Sequence, residues 1–539
     1  MKTARTMIAV VVAALALTVM GGASSTPGQD RPIDVTRYVI AVDLQPEAGS
    51  FRGRTTIEFV ARAALERASF DLVGLTVDSV TRDGTRLEFR REGGTVDLAL
   101  GRRSSAGDTL SVTVFYGGAP RDGLLFRTSI HGDPTVFADN WPDRAHHWFP
   151  CVDDPADKAA AELRVRAPAA WSVVGVGGEV AERRLPDGRK ETIWSTRRPI
   201  PVYTIVFGAA ELIVGNAGAL GCEAPGRRCV PVTWWMYPED AARGRQIFRR
   251  ADQIVAFFDS LIGPFPYEKL ALVQSTTRYG GMENSSAIFL SEQVGQAASA
   301  DALIAHEVAH QWFGDAVSPG EWPHLWLSEG FATYLTTVFF ERADGVPLAR
   351  QRMINAERAY MASPNAVASP VIGERPRNLR SLLNANNYQK GAWVLHMLRA
   401  QVGDETFFNS LQRYYAEYRD ATALTEDFQR IVEEEHGEEL GWFFEQWLYR
   451  PGYPRVEVTY SWNAATALMD LRVRQVQPGP PFRFPLDFEV FFSGQNYKAQ
   501  HSIEVSEREE GSLVVLPMKP DRVVIDPHNK ILGPTVLVR

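Results

Sequence analysis

His306-Glu307-Val308-Ala309-His310 is the stretch that most narrows what this chain can become. On a helix, positions i and i+4 share a face, so both imidazoles can point at one metal ion with the glutamate beside them. A zinc ion used in chemistry usually takes three protein ligands and keeps the fourth position open, so a third ligand should come from another element. Glu329, in Trp326-Leu327-Ser328-Glu329-Gly330-Phe331, is the candidate. The pentapeptide alone is loose, because an amphipathic helix whose histidines merely cap or pack reads the same way. Its flanks narrow the choice: Leu303, Ile304, Val308, Trp312 and Phe313 supply apolar packing, and a polar trio inside a buried segment needs a partner. A second helix is expected over about 323–342, with Leu327, Phe331, Leu335 and Phe339 at i+4 spacing and a stop near Gly345. Glu329 lies on it, outside that apolar row.

Two further segments carry chemistry. Residues 271–274 read as the end of a short strand, and Gly280-Gly281 follow where a peptide backbone could approach closely. Glu283 then sits beside any bound peptide; a fixed carboxylate there selects a positively charged α-amino group, although the same residues also suit an ordinary surface turn. Tyr388, ahead of Lys390-Gly391-Ala392, is by itself equally readable as a packed aromatic with its hydroxyl at the surface.

Taken together, four separated motifs resemble the zinc aminopeptidases of the gluzincin type, which include aminopeptidase N and the leukotriene hydrolases. They are Gly280-Gly281-Met282-Glu283-Asn284, the His306 to His310 pentapeptide, the segment from Trp326 to Tyr334 with Glu329, and Asn387-Tyr388-Gln389-Lys390-Gly391-Ala392. Softer matches are Phe149-Pro150-Cys151-Val152-Asp153-Asp154-Pro155, Gly263-Pro264-Phe265-Pro266-Tyr267 and Gln446-Trp447-Leu448. The resemblance implies one Zn²⁺ held by His306, His310 and Glu329, and a substrate segment made of Gly280, Gly281, Met282, Glu283 and Asn284. It also implies catalysis by Glu307, accepting a proton from zinc-activated water, and by Tyr388, donating to the oxyanion. Substrates are then peptides with a free N-terminus, shortened by one residue at a time, with Glu329 lending its second oxygen to the amine. One departure stands out. Many relatives carry a Gln-x-Glu segment shortly before the Phe-Pro-Cys motif, whereas this chain reads Asp139-Asn140-Trp141. Asp139 is at best a weak substitute for the missing amine-binding carboxylate, and Trp141 is expected to wall the first pocket. An epoxide-opening relative or a silent peptide-binding scaffold are the alternatives. No lipid tunnel is signalled, and every one of His306, Glu307, His310, Glu329 and Tyr388 is present, which fits neither well.

The remaining features bear on place and architecture. Lys2 and Arg5 precede an apolar run over 7–20, and Gly21-Gly22-Ala23 offers a cleavage site, so 1–23 reads as a signal peptide and the mature protein as periplasmic or extracellular. Fourteen residues are short for a membrane span, and no cysteine follows the site to take a lipid, so no stable membrane insertion is expected after cleavage. Cys222 and Cys229 bracket a short loop and could bond in an oxidising compartment or remain thiols; Cys151 stays free. Removing the leader takes the formal charge from −8 to −10, which argues against nucleic acid as a partner. Nothing in the pattern bears on oligomeric state. At 539 residues the chain exceeds one core. The fold class expected is multidomain α+β. Residues 31–212 should form an N-terminal antiparallel β domain, 213–450 a mainly helical catalytic domain that the resemblance makes thermolysin-like, and 451–539 a small β-sandwich. No long C-terminal helical domain follows, so the site should be open to peptides with bulky downstream portions.

Overall fold

The computed structural model describes residues 31–538 apart from 223–225, 227 and 494–497, so the expected leader over 1–23 lies outside the described residues. Three strands, β1 (Ile33–Gln45), β2 (Ser50–Ala61) and β3 (Thr109–Gly118), alternate buried with exposed side chains, as strands with one face on a core must. They occupy the middle of a nine-stranded sheet. Antiparallel pairing holds for β1 with β2 and for β2 with β3. The exception is β4 (Lys158–Ala167), which runs parallel to β1 from Arg37 opposite Ala160 to Asp43 opposite Arg166. Parallel neighbours need a long crossover, and the intervening chain contains the 139–142 loop that reaches the catalytic cavity. Asp83 and Gly84 make a tight turn, both at positive φ (51° and 79°), the pair of conformations a two-residue hairpin requires.

The catalytic part begins with sheet rather than helix. Five strands, β5 (Ile213–Leu220), β6 (Val230–Met236), β7 (Leu270–Ser275), β8 (Gly281–Met282) and β9 (Ala287–Ser291), lie in the order β5-β6-β7-β9-β8. All six residues of β7 are buried, and it is parallel to both neighbours. A strand covered on both faces shows an apolar run instead of alternation, so the strand expected over 271–274 is found but its place at the centre of a sheet is not signalled. The helices that follow include α1 (Asp301–His310), α2 (Trp326–Asp344), α3 (Val346–Met361) and α4 (Gly391–Val402). The second of these starts later than its apolar spacing predicts: Pro323 sits in a separate 3₁₀ turn, Trp322–His324, and the helix proper opens at Trp326. Gly345, at φ 98°, ends it.

Two sheets close the chain, one built on Val456–Asn463 and Leu468–Gln475, the other on Phe484–Phe491 and Lys498–Val505. Met469, Leu471 and Val473 from the first and Leu486, Phe488 and Val490 from the second are buried, so each sheet turns one face inward and the C-terminal part is β as expected. Among the described residues no helix is long and apolar enough to cross a membrane.

Buried ammonium groups seat the N-terminal sheet on the catalytic part. Lys158 of β4 donates to the carbonyls of Asp315 (2.8 Å), Ala316 (2.9 Å) and Ala421 (3.1 Å). Lys269, from the other side, donates to the carbonyls of Gly175 (2.8 Å) and Ser286 (3.0 Å). Burial pushes both lysines down to about 7. Cys222 and Cys229 are disulfide-bonded, and Cys151 is a buried free thiol.

Candidate active site

His306 and His310 stand one turn apart on α1 with their Nε2 atoms 3.2 Å from each other. Glu329, in the first turn of α2, places Oε2 3.3 Å from each of those nitrogens. Three ligand atoms at such separations match one face of a tetrahedron whose centre lies about 2.0 Å from each corner, the zinc–nitrogen and zinc–carboxylate distance. The donor set is that of a zinc ion with one position open. The carbonyl of Phe313 can only accept, so the 3.2 Å contact from His310 Nδ1 puts the proton there and leaves the Nε2 lone pair for the metal; Ser328 Oγ lies 3.0 Å from the same Nδ1. Glu329 Oε2 is buried without a hydrogen-bond donor, as a metal-directed oxygen would be. Burial acts to raise the Glu329 carboxyl, but His310 and His306 outweigh it and hold it well below the usual carboxylate range. Among the described residues a second convergent group, Glu283, Glu307 and His310, shares one of these ligands.

Glu307 faces Gly281 on strand β8. A Cβ on Gly281 would run into the Glu307 carboxylate, so any larger residue there would push the acid from its present place. Glu283 follows that strand and is 6% exposed. Burial pushes its carboxyl up to about 7 and that of Glu307 well above the usual range, so both call for a cation nearby. The turn carrying Glu283 is pinned by Gln311, which donates to the Glu283 carbonyl (2.6 Å) and to Asp315 (2.9 Å) and accepts from the Ser286 amide (2.7 Å). Gln311 has no place in the sequence reading; its one signal there is a lone amide between the zinc pentapeptide and the apolar Trp312-Phe313.

Tyr388 arrives by another route. A π-helical turn over Asn386–Lys390 ahead of α4 brings its hydroxyl to donate to Glu329 Oε1 at 2.6 Å and stacks its ring on His306, centroids 5.9 Å apart and planes 11° from parallel. Two glycines permit this. A Cβ on Gly330 would lie 2.9 Å from the carbonyl carbon of Gly391, and a Cβ on Gly391 would lie 3.0 Å from the Cα of Gly330, so α2 and α4 touch backbone to backbone one residue beyond Glu329 and three beyond Tyr388. Burial holds the phenol well above its ordinary pKa, so it stays a donor.

These groups open on one cavity of about 270 Å³, to which Gly280, Gly281, Met282 and Glu283 all contribute. Asn284 does not line it; the residue is buried, and its carbonyl accepts from the Ala287 amide in the turn before β9. Asp139 does not line it either. Its carboxylate is paired with Arg144 at 2.6 Å and accepts from the Arg278 amide at 3.2 Å, so it cannot serve as the substitute amine ligand. Trp141 does line the cavity, as expected from the sequence, together with Leu303, which the sequence reads only as packing, and Tyr279 and Leu383, which no sequence motif singles out. A second cavity of about 570 Å³ shares Leu383 and Tyr388 with the first.

Residues 249–447 match the model of the peptidase family M1 domain, and residues 35–204 that of the peptidase M1 N-terminal domain. A probable aminopeptidase 1 from Sulfurisphaera tokodaii is 25% identical over 479 residues, 85% of this chain and 58% of that protein. A leucyl aminopeptidase from Saccharolobus solfataricus is 24% identical, over 80% of this chain and 55% of its own length. The chain thus spans a little over half the length of these curated relatives. Among solved structures, an M1 zinc metallopeptidase mutant from Deinococcus radiodurans bound to a Tyr-Ser-Ala substrate superposes with a TM-score of 0.67 at 23% identity, covering 78% of this chain and 96% of that one. A two-domain M1 zinc metallopeptidase mutant bound to L-tryptophan gives 0.69 at 24% identity, over 79% and 96%.

Proposed function

The chain belongs to the M1 family of zinc peptidases, the aminopeptidase N type of gluzincin, and from that premise we propose that it is an aminopeptidase releasing single residues from the free N-terminus of peptides. The observation that carries this reading is that His306, Glu329, Glu307 and Glu283 line one cavity, while His310 completes the ligand triangle with His306 and Glu329. When bound, zinc supplies Lewis-acid polarisation and a lowered pKa for water at the site. Glu307 takes the proton of the attacking water and passes it to the leaving amine. The Tyr388 hydroxyl, now given to Glu329, is the donor available to the oxygen on which negative charge develops. Glu283 receives the substrate's ammonium and so fixes how far into the cavity the chain can enter, which limits cleavage to the first bond.

Two peptides of about a dozen residues, identical except that one is N-acetylated, test the reading with zinc-loaded protein and mass spectrometry. Stepwise loss of residues from the free peptide alone is the expected result. Equal cleavage of both would overturn the role given to Glu283, and no cleavage of either would overturn the peptidase reading. The length of the peptides matters, because it tests whether the second cavity, which shares Leu383 and Tyr388 with the first, takes the downstream chain.

We also propose that the protein works outside the cytoplasm. The leader pattern over 1–23 supports export, and the bond between Cys222 and Cys229 suits an oxidising compartment. N-terminal sequencing of protein recovered from the cell envelope or medium should begin at Ser24; a chain retaining Met1 in the cytoplasm would reject export.

A further inference from the structure

We infer that Trp141 is the residue that selects the first side chain of the substrate, favouring large apolar groups, with Glu283 the single carboxylate for the ammonium. This rests on the aminopeptidase reading and sharpens it. The indole is firmly set. Its two predecessors are tied to the interior: Asp139 to Arg144, and Asn140 by its amide to the Ile205 carbonyl at 2.7 Å and by its oxygen to the Trp148 indole at 2.8 Å. The ring itself meets Tyr279 edge to face, centroids 5.9 Å apart at 86°, and Trp322 likewise, 5.8 Å apart at 80°. Trp322 is braced in turn by Tyr203, 5.8 Å away. Trp141 is therefore 3% exposed and cannot swing aside without displacing two rings, yet it lines the catalytic cavity.

The chemistry of the lining then divides by task. His306 and Glu329 face the metal position, and Glu307 serves proton transfer, so Glu283 is what remains for the ammonium among the charged residues lining the cavity. Apart from Gly280, Gly281 and Tyr388, the rest of the wall is Trp141, Tyr279, Met282, Leu303 and Leu383, all apolar or aromatic with the phenol of Tyr279 turned to the Trp141 carbonyl. A first side chain bearing charge would lose its water against that wall, which carries no counter-ion of its own, whereas a leucyl or phenylalanyl group gains by burial. Discrimination of about 10²-fold between such side chains is within reach of a rigid apolar pocket.

The test uses tetrapeptides with Phe, Leu, Ala, Glu or Lys ahead of three alanines. Wild-type protein should show kcat/KM for Phe and Leu about 10²-fold above Glu and Lys. Trp141→Ala should lose about 10- to 100-fold on Phe and Leu with little change on the alanine peptide, Trp141→Phe should keep the wild-type order, and Trp141→Glu should raise Lys relative to Phe. Calorimetric binding to zinc-loaded Glu307→Gln protein reads the same order without turnover. Absence of cleavage by the wild type would therefore sink the peptidase reading while the side-chain preference is still decided by binding. An order of preference unchanged between wild type and Trp141→Ala, or a wild type that prefers Glu or Lys in binding, overturns the inference. Trp141→Phe guards against a folding defect, since it retains a ring between Tyr279 and Trp322.

Discussion

Glu307→Gln is expected to lower kcat by about 10²- to 10⁴-fold while zinc content and KM stay near those of the wild type. The amide has the shape of the carboxylate and fits the same space opposite Gly281, so neither the strand edge nor the helix need move. It cannot take a proton from water, and that single loss removes general-base catalysis without touching the ligand triangle of His306, His310 and Glu329. A rise in KM with kcat unchanged would mean that Glu307 holds substrate and does not move its proton. Steady-state kinetics on a free-amine peptide, with zinc measured on the same sample, separates the two outcomes.

How much of this is legible in the sequence follows from the range of the interactions involved. The histidine pair needs only helical spacing, and α1 delivers both nitrogens to one point. Strand alternation is equally local, and β1, β2 and β3 fall inside the segment over 31–212 expected to be β-rich. Parallel pairing of β1 with β4 is not local: it joins residues more than a hundred positions apart, and no period-2 pattern encodes a partner. The five-stranded sheet is legible only in part: β7 shows over 271–274, but it is buried on both faces, so nothing in its pattern names the parallel neighbours on either side. At the site, Asp139 and Trp141 are two residues apart and both fall in the segment expected near the substrate amine, but Asp139 turns to Arg144 while Trp141 turns to the cavity. Only the tertiary partners, an arginine behind one and Tyr279 beside the other, distinguish them. Asn284 belongs with its four predecessors by adjacency, yet the turn before β9 carries it inward.

Glu329→Ala is expected to weaken zinc binding by on the order of 10³-fold or more, beyond the roughly 10- to 100-fold that loss of an outer partner costs, and to abolish activity at low micromolar zinc. Two consequences of one deletion combine here. The triangle loses its only anionic corner, leaving two neutral imidazole nitrogens 3.2 Å apart to hold a dication. Tyr388 also loses the acceptor that fixes its hydroxyl at 2.6 Å, so excess zinc should refill the site without restoring the wild-type rate. Tyr388→Phe separates the two effects. It leaves His306, His310 and Glu329 intact and should retain zinc at wild-type stoichiometry while kcat falls, by about 10²- to 10³-fold if the phenol stabilises the oxyanion. Competition with a fluorescent chelator reads affinity, and a rate measured at saturating zinc reads the positioning of Tyr388. Unchanged zinc affinity in Glu329→Ala would remove Glu329 from the ligand set, and full recovery of rate with added zinc would remove the coupling between Glu329 and Tyr388.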